Sequence, residues 1–309
     1  MKIAITGGTG FIGRRLIASC IEMDDHVRVL SRKTREDAAL PDSVELYSGD
    51  LVTNAESLVS FVDGVDVLFH CAGELRDESK MEALHVGGTE RLLSAAEGRI
   101  NHWVQLSSVG VYGPKRDGVV TEESAYNPVG VYEITKAKSD DLVVDAAERG
   151  SMSCAILRPS IVYGADMPNA SLYQMISMIR KHVFFFLGKP GSSANYIHVD
   201  NVVDALLKCV VVSKRKVSIY NLSDNRTLEE FVHIIAHSIN KNPPKMRIPE
   251  GFARMVARIM RVVPQWPLTT SRIDAMTNRA IYSSDKIMSE LGYSHRVTME
   301  EGLTSLTLI

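Results

Sequence analysis

Tyr132 and Lys136 stand four residues apart in the stretch VYEITKAKSDDLVV, residues 131–144. At helical pitch that spacing puts a phenol and an ammonium on one face. Together they suit proton transfer. A free phenol has a pKa of about 10, too high for an efficient base at neutral pH. A neighbouring ammonium favours the phenolate and lowers that pKa. Such a pair fits a reaction in which a proton and a hydride move together, at an alcohol or a ketone. The same residues, with Pro128 ahead and Asp140 and Asp141 beyond, also fit an ordinary exposed helix. What the rest of the chain places around them decides.

The elements that must position the pair are legible as short apolar runs. KIAIT (2–6), HVRVLS (26–31), VELYSGD (44–50), VDVLFHCAG (65–73), HWVQLSS (102–108) and SCAILRPS (153–160) read as buried strands. Segments with apolar residues at helical spacing lie between them. A β-α unit repeated six times implies a parallel sheet with helices on both faces and right-handed crossovers. Ligands of such sheets bind at the carboxyl ends of the strands. The predicted fold class is therefore α/β, a doubly wound parallel sheet with a smaller C-terminal cap. Residues 1–165 and 198–224 are expected to form the sheet domain. Residues 166–197 and 225–309 are expected to form a substrate-binding cap. In the cap a helix is predicted over 170–182. Another is capped by Thr227 with Glu230 three residues on, and a proline-bounded basic helix runs near 250–263.

The first strand runs into ITGGTGFIGRRL. Gly7, Gly10 and Gly13 fall between that strand and the first helix, with Phe11 and Ile12 inside the turn. Glycines there allow a tight turn and close approach of backbone N–H groups to a pyrophosphate, with the helix N-terminus facing the anion. That predicts a dinucleotide cofactor. The second strand ends VLSRKTR, where NAD-binding sites carry an acidic residue for the ribose hydroxyls. Arg32 and Lys33 stand there instead. A guanidinium pairs with a 2′-phosphate, so NADP(H) is expected over NAD(H). Two solvated loop charges are the alternative.

Composition narrows the rest. The 309 residues are 45% hydrophobic and 23% charged, with a net charge of -2. These are ordinary globular values and give no electrostatic reason to propose nucleic acid. Cys20, Cys71, Cys154 and Cys209 are scattered, with no CxxC and no metal spacing, so buried thiols in a reducing compartment are expected and no metal site. The start MKIAITGGTG lacks the pattern of a signal peptide, and no apolar run is long enough to span a bilayer. A cytoplasmic protein is the expectation.

With the glycine turn, GDL (49–51), FHCAG (69–73), LSSVGVYG (106–113), the Tyr/Lys pair, ILRPSIVYG, YIHVDNVVDAL and SSDKIMSELGY, the chain resembles the NAD-dependent epimerase/dehydratase family nearly end to end. These are extended short-chain dehydrogenases/reductases with a Rossmann core. Most act on nucleotide sugars, in chemistry such as polysaccharide biosynthesis. The resemblance implies that Asp50 and Leu51 flank the adenine and that Ala72, Gly73 and Pro159 lie along the cofactor. Its catalytic Ser/Thr stands five residues before the glycine of V-Y-G, which selects Ser108 as the group that orients the substrate oxygen. Tyr132 becomes the acid/base. Lys136 tunes it and clamps the nicotinamide ribose. A homodimer is implied, through the helix carrying Tyr132 and the one before it.

Within the family, dehydratases carry a carboxylate pair directly after the Ser/Thr. Val109 and Gly110 stand there, so a 4,6-dehydratase is not expected. What is left is reduction of a 4-keto nucleotide sugar, favoured by Arg32 and Lys33, or 4-epimerisation with a retained cofactor. A catalytically silent NADP-binding protein is a third reading. Two departures bear on the substrate. The Asn of N-V-x-G-T is His85, which either bonds substrate or packs. The arginine before Y-I-H-V that holds the nucleotide diphosphate is Ala194, so Arg272 or Arg279 must serve if they are not plain surface arginines. His198 reads as structural and Cys71 as a packed side chain. Arg254, Arg258 and Arg261 line the 250–263 helix, which either packs on the cap or touches an anionic membrane surface.

Overall fold

The computed structural model describes residues 1–53, 56–150, 152–210, 216–260 and 269–307. Seven strands form the main sheet: β1 (Lys2–Thr6), β2 (His26–Ser31), β3 (Glu45–Ser48), β4 (Val65–His70), β5 (Ile100–Leu106), β6 (Ser153–Pro159) and β7 (Val217–Leu222). Their spatial order is β7-β6-β5-β4-β1-β2-β3, and every neighbouring pair is parallel. Chain order reverses across β1, so a crevice opens at the carboxyl ends of β1 and β4.

The apolar runs form strands here because both faces of the sheet are covered. Ile3 and Ile5 of β1 face one helical layer, with Leu16 and Ile17 of the Phe11–Glu22 helix and Val202 and Leu206 of the Val199–Lys208 helix. Ala4 between them faces the other layer, with Leu58, Phe61, Leu92 and Val143. Alternation along one strand thus fixes which helices go where. The sheet-forming stretches match the expected ones, with β3, β4 and β6 shorter at their ends and β5 shifted two residues earlier, to Ile100–Leu106. The helix before β5 stops at Ala96, because Gly98 turns with φ +69° and β5 starts at Ile100. The sequence reading had six strands in the repeat and one later segment returning; that segment is β7.

The later chain builds a second core. Tyr163, Leu172, Ile176, Phe186, Phe231, Ile235 and Leu303 pack together there. Beside it lies a three-stranded sheet ordered Asp224–Thr227, Ser193–His198, Ile161–Tyr163. Thr227 caps the Leu228–Ser238 helix by the predicted box, accepting from the Glu230 N–H while the Glu230 carboxylate accepts from the Thr227 N–H.

Candidate active site

The glycine turn is forced by contact rather than by flexibility alone. Gly7 has φ +71°, and a Cβ on it would lie 2.6 Å from the backbone of Cys71 and Ala72. A Cβ on Gly13 would lie 2.2 Å from the Gly7 carbonyl oxygen. The end of β1, the end of β4 and the first helical turn therefore meet with no room for side chains. Gly10 caps the Phe11–Glu22 helix without a side-chain bond, and the first turn carries no acidic residue. Its N–H groups point to an anion site, and Arg14 and Arg15 stand beside them on the same helix. Arg15 also pairs with Asp200 at 2.8 Å.

A cavity of about 810 Å³ opens from this turn. Gly7, Gly10, Phe11, Ile12 and Gly13 line it at one end, with Ala72 and Gly73 from the turn after β4. Ser108, Tyr132, Lys136 and Pro159 line it at the other. The residues singled out for chemistry thus share one cavity with those singled out for the dinucleotide. A volume of this size suits an organic ligand. The cradle that a Cβ would fill, the open helix N-terminus and the flanking guanidinium groups fit a dinucleotide pyrophosphate.

Ser108 follows β5 in extended conformation and caps the short 3₁₀ turn Val109–Tyr112, its hydroxyl oxygen accepting from the Gly110 N–H at 3.1 Å. The hydroxyl proton is left to donate. Ser107 points elsewhere and donates to Asp140 at 2.7 Å. Tyr132 and Lys136 lie in the first two turns of the Val131–Arg149 helix. Lys136 is 4% exposed, and its Nζ donates to the Leu106 carbonyl at 2.6 Å, so the ammonium hangs from the last residue of β5. Burial lowers its pKa, opposed by Asp140 and Cys71.

The Tyr132 phenol departs from expectation. Burial, Glu133 and Asp140 push its pKa up to about 12. The protein's own groups thus hold the phenol protonated, and the expected lowering by Lys136 is absent. Burial leads the rise and two carboxylates on the same helix add to it, while one Lys136 N–H is taken by the Leu106 carbonyl.

Asp140 is a second correction. It is not on an exposed face: Asp140 and Arg158 are 1% and 0% exposed and paired at 2.9 Å. Arg158 comes from β6 and also donates to the hydroxyls of Tyr112 and Tyr126, and Tyr112 in turn donates to Asn221 of β7. This buried network ties three parts of the site's floor together. Its signal in the sequence was the R of ILRPS, a charge inside an apolar run.

His85 packs and tethers; it does not line the cavity. Its Nε2 accepts from the Glu74 N–H at 2.8 Å and its Nδ1 meets Thr135 Oγ1 at 2.8 Å. Its ring stands edge-on to Tyr132, with centroids 5.6 Å apart. It sits in a one-turn π-helix, Glu82–Gly87, which sequence periodicity does not reveal. Of the two readings of His85, packing is the one this placement fits.

Arg32, Lys33, Asp50 and Leu51 lie together but outside that cavity's lining. The Gly49 N–H donates to the Ser31 carbonyl at 3.1 Å, which brings the end of β3 beside the exposed Arg32 and Lys33. Asp50 turns its carboxylate to the Val52 N–H, and Leu51 is buried. Arg272 and Arg279 do not line it either. Arg272 is on the exposed side of the Thr270–Thr277 helix. Arg279 donates to the carbonyls of Lys189 and Pro190 and borders a separate cavity of about 610 Å³ with Arg247 and Glu250. Ala194 is 3% exposed, and Arg226 stands opposite it on the neighbouring strand. That cation was missed because residues 224–227 carry no strand pattern. The sequence reading also missed Arg14, Arg15, Ile161 and Val162 of the lining, although the RR after Gly13 signals the first two. His198 caps the Val199–Lys208 helix, accepting from the Asp200 N–H.

The sequence profile of the NAD dependent epimerase/dehydratase family matches residues 3–223. The 4-hydroxy-2-methyl-3-oxo-4-farnesyl-3,4-dihydroquinoline-1-oxide ketoreductase of Stigmatella aurantiaca is 28% identical, over 99% of this chain and 96% of its own. The 3 beta-hydroxysteroid dehydrogenase/Delta 5-->4-isomerase of Mycobacterium tuberculosis is 25% identical, over 98% and 88%. The UDP-glucuronic acid 4-epimerase of Bacillus cereus, solved with UDP-glucuronic acid and NAD, superposes with a TM-score of 0.76 at 18% identity, over 99% and 97%, which shows the shared fold.

Proposed function

Because the chain belongs to the NAD dependent epimerase/dehydratase family, we propose that it is an NAD(P)-dependent ketoreductase with Tyr132 as its proton donor. One observation carries this: Ser108, Tyr132 and Lys136 line the same cavity as the glycine turn. Residues 1–165 and 198–224 hold the dinucleotide, and the rest of the chain covers the substrate. A bound reduced nicotinamide supplies the hydride. Ser108 donates a hydrogen bond to the carbonyl oxygen and fixes its direction. Tyr132, held protonated by its surroundings, gives its proton to that oxygen as the alcohol forms. Lys136, fixed on the Leu106 carbonyl, holds the ribose and offsets the phenolate charge. The exposed Arg32 and Lys33 favour NADP(H) through the 2′-phosphate.

The first substrate reading is a 4-keto nucleotide sugar, in line with the ligand of the Bacillus cereus structure; 4-epimerisation with retained cofactor is its variant. A second reading, an apolar ketone, is favoured by a specific observation. No cation of the cap borders the cavity among the described residues, and Leu75, Ile161, Val162 and Pro168 are in its lining, beside the polar Asp166 and Asn169. The ketoreductase and steroid dehydrogenase relatives carry names of apolar substrates.

The test is a cofactor-depletion assay on UDP- and dTDP-4-keto sugars beside prenylated and steroidal ketones. Net NADPH oxidation means a reductase, and the panel member consumed names the class. Product change without net oxidation means an epimerase. Tight NADPH binding with no turnover on any member overturns the catalytic reading.

A further inference from the structure

The Glu250–Ile259 helix turns its smallest side chains inward and its largest outward. Ala253 and Ala257 are buried against Leu187 and Ile273. Phe252, Met255 and Ile259, spaced i, i+3 and i+7, are 55%, 51% and 64% exposed. The helix thus packs on the cap through its alanines, and its bulky apolar stripe is left outside. Arg261, the third arginine expected along it, lies outside the described residues. The stripe does not stand alone. Arg247–Ile248 pairs with Phe186–Leu187, and the Phe186 N–H donates to the Met246 carbonyl. Half-buried Phe185 packs on the same alanine cluster. Exposed Val183 and Met246 stand just ahead of these two paired strands.

The charge around this edge is one-sided. Residues 241–258 carry five cations against one carboxylate, in a chain whose net charge is -2. Arg254 pairs with both Glu250 and Asp274, and Arg247 with Glu229, so two of the five cations are offset. Lys181, Lys245 and Arg258 are exposed and have no ion pair among the described residues. An apolar stripe in a basic surround matches an anionic lipid surface, which supplies hydrocarbon for the stripe and phosphates for the cations.

We propose that the edge formed by Phe252, Met255, Ile259, Val183 and Met246, with Lys181, Lys245 and Arg258, docks the protein on an anionic membrane surface. The helix lies in the interface plane and does not span it. The stripe is apart from the cavity that holds Tyr132, so docking is measured without any turnover.

The experiment is co-sedimentation of the full chain with phosphatidylcholine vesicles, with and without phosphatidylglycerol, at low and high salt. Partition is expected with the anionic vesicles and is expected to weaken at high salt. Phe252→Ser/Met255→Ser and, separately, Lys245→Glu/Arg258→Glu are each expected to lower it by about tenfold. Both pairs are exposed, and circular dichroism checks their fold. Should one pair unfold, the other pair and the lipid and salt dependence of the unaltered chain decide. No partition with anionic vesicles overturns the proposal. So does partition that both variants leave unchanged. A lower molar mass of the variants by light scattering without vesicles also overturns it, since the face is then an interface between copies of the chain.

Discussion

Arg158 holds one oxygen of Asp140 through two nitrogens, Nε at 3.1 Å and Nη2 at 2.9 Å, where neither side chain has appreciable exposure. Burial works against the Arg158 charge, and Asp140 outweighs it, leaving the guanidinium pKa above its ordinary range. Breaking one partner of such a pair strands a charge. Arg158→Met is expected to cost about 3–5 kcal/mol, read as a lower urea midpoint. A loss below about 1 kcal/mol would show that the pair is dispensable.

Tyr132→Phe removes the proton and keeps the ring that stands against His85. Turnover on whichever ketone the enzyme accepts is expected to fall by about 10²–10⁴-fold, with the melting temperature unchanged. Since the phenol is held up at about 12, reduction should be nearly flat with pH across the neutral range. The reverse oxidation, which needs the phenolate, should rise with pH. Near-full activity of the variant sinks the assignment.

His70 and His85 set an acid limit. Burial, followed by the Lys136 charge, lowers their pKa values to about 3 and about 4. Both lie below the unfolded value of about 6.5. Between about 6.5 and those values the unfolded chain binds protons that the folded chain refuses, so stability falls as pH falls through that window. The slope is about 1.4 kcal/mol per pH unit for each histidine. Urea midpoints at pH 7.5 and pH 5 test this, and His85→Gln should flatten the difference.

Arg32→Ala is expected to lower the ratio of NADPH to NADH affinity by about tenfold, measured by fluorescence titration. An unchanged ratio would make Arg32 a solvated charge. Gly13→Ala in the same assay should abolish binding of both, because its methyl would meet the Gly7 carbonyl.

The sheet was legible because β1, β2, β4 and β6 are largely buried on both faces and read as mostly apolar runs, interrupted only by Arg28, Asp66 and Arg158 among charged residues within β2, β4 and β6. The cap was less so. Ser193–His198 starts in a Gly/Pro/Ser stretch and is held between two partners, Ile161–Tyr163 and Asp224–Thr227; Asp224–Thr227 has no apolar residue at all and is a strand only through pairing with Ser193–His198. Tyr132 and Lys136 could be picked out by type and spacing, and Ser108 through the family resemblance. Their electrostatics could not. Asp140 and Asp141 are adjacent in the sequence, yet one is sealed against Arg158 and the other exposed. Asp140 lies four residues beyond Lys136 and so shares its face, but its partner Arg158 comes from β6, a contact between distant segments that local spacing does not show. The same limit hid His85, whose π-helical turn rotates it toward Thr135.

The last strand of the main sheet has a consequence for how the chain is made. β7 completes the edge beside β6, but residues 160–216 are synthesised between them. Until residue 222 has left the ribosome, β6 offers Ala155 and Leu157 on an unpaired edge, a template for strand addition by another chain. The nascent protein thus passes through a stage in which six strands and both glycine contacts are available but the sheet is open on one side. Its exposure to aggregation is set by how fast the intervening 57 residues (160–216) are translated, rather than by how stable the finished fold is.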